Sequence, residues 1–177
     1  MKNIIFLKLY LTLAFFLIIN NLLGQEGFVK NNGQFPINVI AKKKLSGGAL
    51  FVERGKLSFS FYNQKQLKKF HDHKNTDSKI SYHSYRILFK NISKNITISY
   101  NNKYDYVENY YLGEKQNWVS SVPVFNEVLQ QKIYRGIDLK IYNHHNNLKY
   151  DLILSKDADV RDVIMKYEDV ESLILVN

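Results

Sequence analysis

The histidines at 71 and 73 are the residues of this chain best suited to hold a metal ion. In an extended segment, residues two apart share a face, so His71 and His73 could present both imidazoles to one ion, with His83 or Asp77 completing the site. Neighbouring lysines repel a cation, however. We therefore interpret 63–79 as a polar loop with at most one helical turn, and we expect no metal and no other cofactor.

A second histidine pair, His144 and His145, lies within "YRGIDLKIYNHHNNLKYDLIL", where two runs of alternating apolar and polar residues meet. This alternation predicts a β-hairpin. Pairing Asn143 with Leu148 puts the apolar side chains on one face and leaves a four-residue loop, 144–147. Adjacent side chains at a loop tip rarely converge on one ion, so we interpret both histidines as turn residues.

The same register places Lys140 opposite Asp151 on the polar face, which predicts a cross-strand ion pair. A shift of two residues would set Lys140 against Lys149 and Asp138 against Asp151, and like charges would then repel. The charges and the apolar face therefore select the same register.

The run "YDYVENYY" combines Asp105 and Glu108 with four tyrosines. Two carboxylates can hydrolyse a glycosidic bond when they flank it, and exposed aromatic rings can contact sugar rings. Half-buried packing is the commoner role of tyrosines in strands, so we assign no catalytic residue. The candidate glycan contacts are Tyr104, Tyr106, Tyr110, Tyr111 and Trp118.

The first 24 residues have the features of a secretory signal peptide. Lys2 precedes an apolar core from 9 to 19, which is short for a membrane-spanning helix. Gly24 offers a small residue before Gln25, so we predict cleavage between these two. The mature chain, 25–177, would then be an exported single domain that meets a membrane only before cleavage.

The composition narrows the class of protein further. The chain has no cysteine, which excludes disulfides and thiol chemistry. Its formal charge is +9, and removal of Lys2 and Lys8 leaves +7. The lysines are scattered, with small groups at 42–44 and 65–69, and arginine occurs at only four positions. We interpret the groups as solvated loops and expect no nucleic-acid partner.

Strand patterns dominate the mature chain. "GALFVERGKLSFSFY" predicts a hairpin with its turn at Arg54-Gly55, because Leu57, Phe59 and Phe61 alternate with polar residues. Short strands at regular spacing predict an all-β, antiparallel sandwich or a partly open barrel. The other predicted strands are "ISYHSYRILFK", "ITISY", "YVENYYLG", "NWVSSVPVFNEVLQQKIY", "VIMKYE" and "SLILV".

Four glycines lie where turns or bends are expected: Gly33, Gly48, Gly113 and Gly136. Where φ is positive, replacement by a β-branched residue should destabilise the fold by about 1 kcal/mol or more. We interpret these glycines as fold-critical positions and not as parts of a ligand site.

Several phrases in order carry a family resemblance: "FVKNNGQFP", "GGALFVERG", "HSYRILF", "NYYLGEKQNWVSSVPVFNEV", "YRGIDLKIY", "LKYDLIL" and "DADVRDVIMKYE". Over about 28 to 175, the chain resembles the N-terminal domain of unknown function of Bacteroidota-type secreted and cell-surface proteins. Such proteins often continue into propeller-type repeats and finish with a sorting domain of the type IX secretion and gliding-motility system.

The resemblance implies a secreted or surface-exposed β-rich module with an adhesion or assembly role, whose partner is another protein or the rest of a larger surface protein. Relatives continue past "SLILVN" with another strand pair, so we expect either a truncated chain or an open core whose edge strand can pair with another chain. Our first hypothesis is a non-catalytic interaction module. The second is an extracellular glycan-binding module, and the third is a polysaccharide hydrolase.

Overall fold

The computed structural model describes residues 26–71, 79–145 and 147–174, so the predicted leader lies outside the described residues. Within these ranges no helix has the length and apolar character that a membrane span requires. The strands are β1 (Phe28–Lys30), β2 (Val39–Leu45), β3 (Gly48–Glu53), β4 (Lys56–Tyr62), β5 (Tyr82–Lys90), β6 (Thr97–Tyr110), β7 (Val119–Tyr134), β8 (Ile137–His144), β9 (Asn147–Leu154) and β10 (Ile164–Glu168). Helix α1 spans Gln64–His71, and two 3-10 turns span Lys115–Asn117 and Val160–Asp162.

The ten strands form one antiparallel sheet that curls strongly into a half-barrel. The strand order is β10-β5-β4-β3-β2-β1-β7-β8-β9, and β6 pairs with β7 beside this path. The first half of β7 pairs with β1, and its second half pairs with β8. The all-β, antiparallel prediction is confirmed, and of its two forms the structure is the partly open barrel.

Apolar side chains from both arms of the curled sheet form the main core. Leu50 and Leu57 from the β3–β4 hairpin pack in the same cluster as Leu139 and Ile141 of β8. A smaller cluster of Val29, Val122 and Val124 lies apart from it, and the second half of β6 packs there. Because β6 contributes to both clusters, its second half carries the tyrosine-rich run away from the main core.

The two predicted hairpins are present. In the first, Glu53 pairs with Lys56 across the Arg54-Gly55 turn. In the second, Asn143 pairs with Leu148 as predicted, and His144 also pairs with Asn147. The predicted four-residue loop was therefore wrong, since only two residues connect the strands. A two-residue turn matches the right-handed twist of the strands, and the positive φ of His145 (48°) fits such a turn.

The lysines at 42–44 were wrongly predicted to lie in a solvated loop. They belong to β2, where Phe28 of β1 and Leu50 of β3 flank Lys43. The side chain of Lys43 is only 3% exposed, donates to the Glu26 carbonyl oxygen and lies 5.7 Å from the Phe28 ring centroid. The aliphatic stem of lysine can pack in a core when its ammonium finds an acceptor.

Three other segments differ from their predictions. The strands predicted from "ITISY" and "YVENYYLG" are one strand, β6, because β7 offers a partner along its whole length. The predicted loop 63–79 begins with the two turns of α1. The predicted strand "SLILV" is absent from its described residues, 172–174, which form no bridge to another strand.

The four selected glycines have two different physical roles. Gly33, Gly113 and Gly136 have positive φ angles of 112°, 66° and 70°. Gly48 instead begins β3, next to the turn predicted for it, and a β-carbon there would lie 2.0 Å from the Ser60 carbonyl oxygen. The backbones of β3 and β4 therefore approach each other too closely at this point for any other residue.

Candidate functional site

The tyrosine-rich second half of β6 forms one wall of a cleft. The opposite wall is β2 with the start of β3, and α1 closes one end. The cleft has a volume of about 770 Å³. Its aromatic lining residues are Tyr62, Tyr106 and Tyr110, and its charged ones are Glu26, Lys42, Lys44 and Glu108.

Two charged groups of the cleft form an ion pair, and a third contacts an aromatic ring. Lys44 Nζ lies 3.0 Å from Glu26 Oε1, and this contact raises the pKa of Lys44, with a smaller contribution from Glu108. Lys42 Nζ lies 5.5 Å from the ring centroid of Phe35. The lining of the cleft therefore carries both signs of charge next to aromatic surface. This combination suits a polar, uncharged ligand.

The tyrosine hydroxyls on β6 also have partners. Tyr110 donates to Glu108 Oε2 at 2.6 Å, and burial together with this hydrogen bond strongly raises the pKa of Tyr110. The Tyr106 hydroxyl accepts from the Gly27 amide at 3.3 Å, and burial raises its pKa as well. Tyr104 donates to Asn126 Oδ1 at 2.8 Å. These contacts hold the rings in place.

The five candidate aromatic residues do not form one platform. Tyr104 and Tyr106 stack with ring centroids 5.5 Å apart, whereas Tyr110 packs edge-on against Phe35 at 5.3 Å. Tyr111 and Trp118 form a separate exposed pair at 5.1 Å, outside the lining of the cleft. The end of β6 separates these groups, since Tyr110 is its last residue.

The match to known proteins covers nearly all of the described structure. A family model described as "Domain of unknown function (DUF7948)" matches residues 28–177, beginning at the first residue of β1. The chain belongs to the DUF7948 family. No curated protein matches the chain. No solved structure matches it either.

The structure of this DUF7948 domain places the histidines of the β8–β9 hairpin apart from the cleft. His144 and His145 lie at the exposed end of the β8–β9 hairpin, with ring centroids 4.2 Å apart. His145 and Lys149 lower the pKa of His144, as nearby positive charges do. His71 ends α1, and its side chain and His73 lie outside the described residues. Among the described residues, no cluster of three metal-binding side chains occurs.

The predicted ion pair between Lys140 and Asp151 is wrong, although the two residues do face each other across β8 and β9. Lys140 Nζ instead lies 3.1 Å from Glu127 Oε2 on β7. Asp151 accepts a hydrogen bond from the Tyr142 side chain, which raises the pKa of Tyr142. Lys140 lies on a strand with neighbours on both sides, β7 and β9. Its ion-pair partner therefore depends on the order of strands in the sheet.

The sequence patterns point to one wall of the cleft and not to the other. Tyr106 and Tyr110 were selected from the tyrosine-rich run, but Glu26, Lys42 and Lys44 were not. The alternation of Val39, Ala41 and Lys43 with outward-facing residues is the signal for β2. The three consecutive lysines conceal that alternation when each lysine is treated as a polar residue.

Proposed function

We propose that this DUF7948 domain is an exported, non-catalytic interaction module of a secreted or cell-surface protein. One observation carries the proposal: apolar side chains are exposed along the open side of the half-barrel, where β9 and β10 end the strand order. Large apolar side chains left exposed along an open sheet edge favour a recognition role. This open-side strip consists of Tyr150, Ile153, Leu154, Val160 and Ile164.

The context of the proposal comes from the sequence. The leader supports export, and the phrases shared with Bacteroidota-type surface proteins support a place at the N-terminal end of such a protein. In the full proposal, propeller-type repeats and a type IX sorting domain belong to the same assembly. The module then contributes contacts to that assembly and does not transform a substrate.

The contacts within the cleft support the non-catalytic part of the proposal. A general acid in glycoside hydrolysis needs a carboxyl group free to donate its proton to the leaving oxygen. Glu108 accepts from Tyr110, and Glu26 pairs with Lys44. Both carboxylates are therefore already engaged within the domain, which supports a binding role.

The interaction role can be tested by photo-crosslinking on cells that produce the protein. A photoreactive side chain is placed at Ile153 in the open-side strip and, as a matched control, at exposed Lys94. We expect a crosslinked product of one discrete mass from position 153 and none from position 94. Equal labelling at both positions, or none at either, would contradict the role. Protease added outside intact cells tests export, since a retained chain would survive.

Glycan recognition is the second candidate, and the cleft favours it. Tyr106 and Tyr110 present rings beside paired charges, as sites for polar ligands do. A glycan array of the mature chain tests this role. Binding through the cleft should be lost on Tyr106→Ala and kept on Trp118→Ala, because Trp118 lies outside the cleft. The reverse result would assign binding to the Tyr111–Trp118 pair, and no saturable binding would exclude the candidate.

A further inference from the structure

Strand β9 presents a long, regular and open edge. All eight of its residues pair with β8, and no register shift interrupts the ladder. Its other edge has no partner among the strands that the structure describes. The outward amide and carbonyl groups of such an edge can hydrogen-bond to a further strand, and folded proteins normally block them with bulges, prolines or charges.

The other two edge strands are better protected. β6 shifts register twice against β7, between Lys103 and Val107 and again between Glu108 and Tyr110. Such bulges twist an edge away from a flat partner. β10 is only five residues long, from Ile164 to Glu168. β9 is therefore the edge most open to pairing within the described part of the chain.

Charges on β9 are complementary to those of a second β9 running in the opposite direction. With Tyr150 opposite itself, Lys149 lies opposite Asp151 of the partner subunit, and the reciprocal pair forms by symmetry. Leu148 then lies opposite Leu152 of the partner subunit, so the apolar faces of the two sheets are continuous. Around its centre this register joins chemically compatible side chains, whereas Asn147 lies opposite Ile153 of the partner subunit.

Neighbouring registers of the β9–β9 pair place less compatible side chains opposite each other. A shift of two residues in one direction places Lys149 opposite Lys149 of the partner subunit, and in the other direction Asp151 opposite Asp151 of the partner subunit. Both arrangements put like charges face to face, which destabilises a strand pair. A shift of one residue puts the apolar face of one sheet against the polar face of the other. The sequence of β9 thus specifies one two-fold register.

The charges needed for this pairing are available. Lys140, which faces Asp151 across β8, is bound to Glu127 instead. Within the described residues Lys149 and Asp151 make no ion pair, although Asp151 accepts from the Tyr142 side chain. Each subunit therefore offers one cation and one anion at its open edge, at the spacing that the opposite subunit requires.

We propose that two copies of this chain associate by antiparallel pairing of their β9 strands, centred on Tyr150, to form one continuous sheet across a two-fold axis. This inference rests on the proposed interaction role and names a second copy as the partner of the open-side strip. Pairing would also shield the adjacent apolar side chains Ile153 and Leu154, which are 47% and 43% exposed in the single chain.

Charge reversal tests the proposal by sedimentation velocity of the mature chain over a wide concentration range. The native chain should form a dimer. Lys149→Asp alone and Asp151→Lys alone should each weaken the dimer by about tenfold or more, because four like charges then meet at the axis. Mixing the two single variants should restore dimerisation as a heterodimer, and the double variant should restore the homodimer. Lys94→Asp, at an exposed position away from β9, should leave the dimer unchanged.

A native chain that stays a monodisperse monomer by light scattering at high concentration would overturn the proposal. Dimers that form equally well in both single variants would overturn the β9 register. The crosslinking experiment distinguishes failure of self-pairing from failure of the interaction role. A crosslink from Ile153 to a different protein, with the chain itself monomeric, would support the role and reject self-pairing.

Discussion

The side chain of Gln130 holds the turn between β3 and β4 against the opposite arm of the sheet. Its oxygen accepts from the Gly55 amide at 2.9 Å, and its nitrogen donates to the Glu53 carbonyl oxygen at 2.9 Å. Gln130 is fully buried on β7. One amide therefore satisfies two backbone groups that the curled sheet shields from water.

Replacing Gln130 by leucine should lower the free energy of unfolding by about 2 to 3 kcal/mol. Leucine fills a similar volume but leaves the Gly55 amide and the Glu53 carbonyl buried without their partner. Urea denaturation measures the change. Gln131→Leu on the next, half-buried position is the matched control and should change the stability little. Equal effects of the two substitutions would refute the importance of the bridge.

Gly48→Ala should destabilise the domain more than Gly113→Ala. The new β-carbon at 48 would lie 2.0 Å from the Ser60 carbonyl oxygen, so β3 and β4 must move apart, at a cost of about 3 kcal/mol. At 113 nothing lies within 4 Å, and only the positive φ of 66° opposes alanine, at about 1 kcal/mol. Thermal unfolding of both variants measures the difference, and the opposite order would contradict the close approach.

The buried ammonium of Lys43 should make stability depend on pH. Burial lowers the pKa of Lys43, and the charge of Glu26 only partly offsets this effect. Between the lowered folded-state pKa and the ordinary lysine pKa, the unfolded chain binds more protons than the folded chain. Stability attributable to Lys43 therefore rises with pH across this window and is lowest below it.

Lys43→Met should remove this dependence. At neutral pH the free energy of unfolding of the variant should exceed that of the native chain by about 1 kcal/mol. This difference should shrink as the pH rises towards the ordinary lysine pKa. The Glu26 carbonyl oxygen keeps a second donor, Asn143 Nδ2 at 2.9 Å. Urea unfolding at several pH values checks the prediction, with Lys42→Met as the control that retains the native slope. A pH-independent difference between Lys43→Met and the native chain would refute it.

His145→Gly should stabilise the β8–β9 hairpin. His145 has a φ of 48°, a left-handed conformation that costs most residues about 1 kcal/mol and glycine almost nothing. Chemical denaturation should therefore give a higher midpoint for this variant. His144→Gly is the matched control and should lower the midpoint, because His144 is in the strand. A loss of stability in both variants would indicate that His145 makes a contact that outweighs the backbone strain.

Local patterns account for the elements that were predicted well. The hairpins at Arg54-Gly55 and at His144–Asn147 combine alternating side chains with turn residues close in sequence, so short segments contain the necessary information. The β8–β9 register could be derived because only one alignment satisfied both the apolar face and the charges. The predicted turn was too long by one residue on each strand, since histidine has no strong preference between strand and turn.

Long-range contacts account for what sequence reasoning missed. Lys43 is buried because Glu26 and Phe28 meet it from another part of the chain, which no local pattern predicts. The cleft needs β2 beside the second half of β6, and strand order over that distance was unreadable. For the same reason Tyr106 and Tyr110 could be selected as aromatic candidates, while their separation from Trp118 could not be foreseen.

The sharing of β7 between the two arms has a consequence for how the domain folds. Neither arm can complete its hydrogen-bond ladder unless β7 is in place. Unfolding that removes β7 from one arm therefore also removes it from the other. We therefore expect one all-or-none transition, with no half-folded species at equilibrium and with slow folding, because pairing β7 requires the closure of large loops.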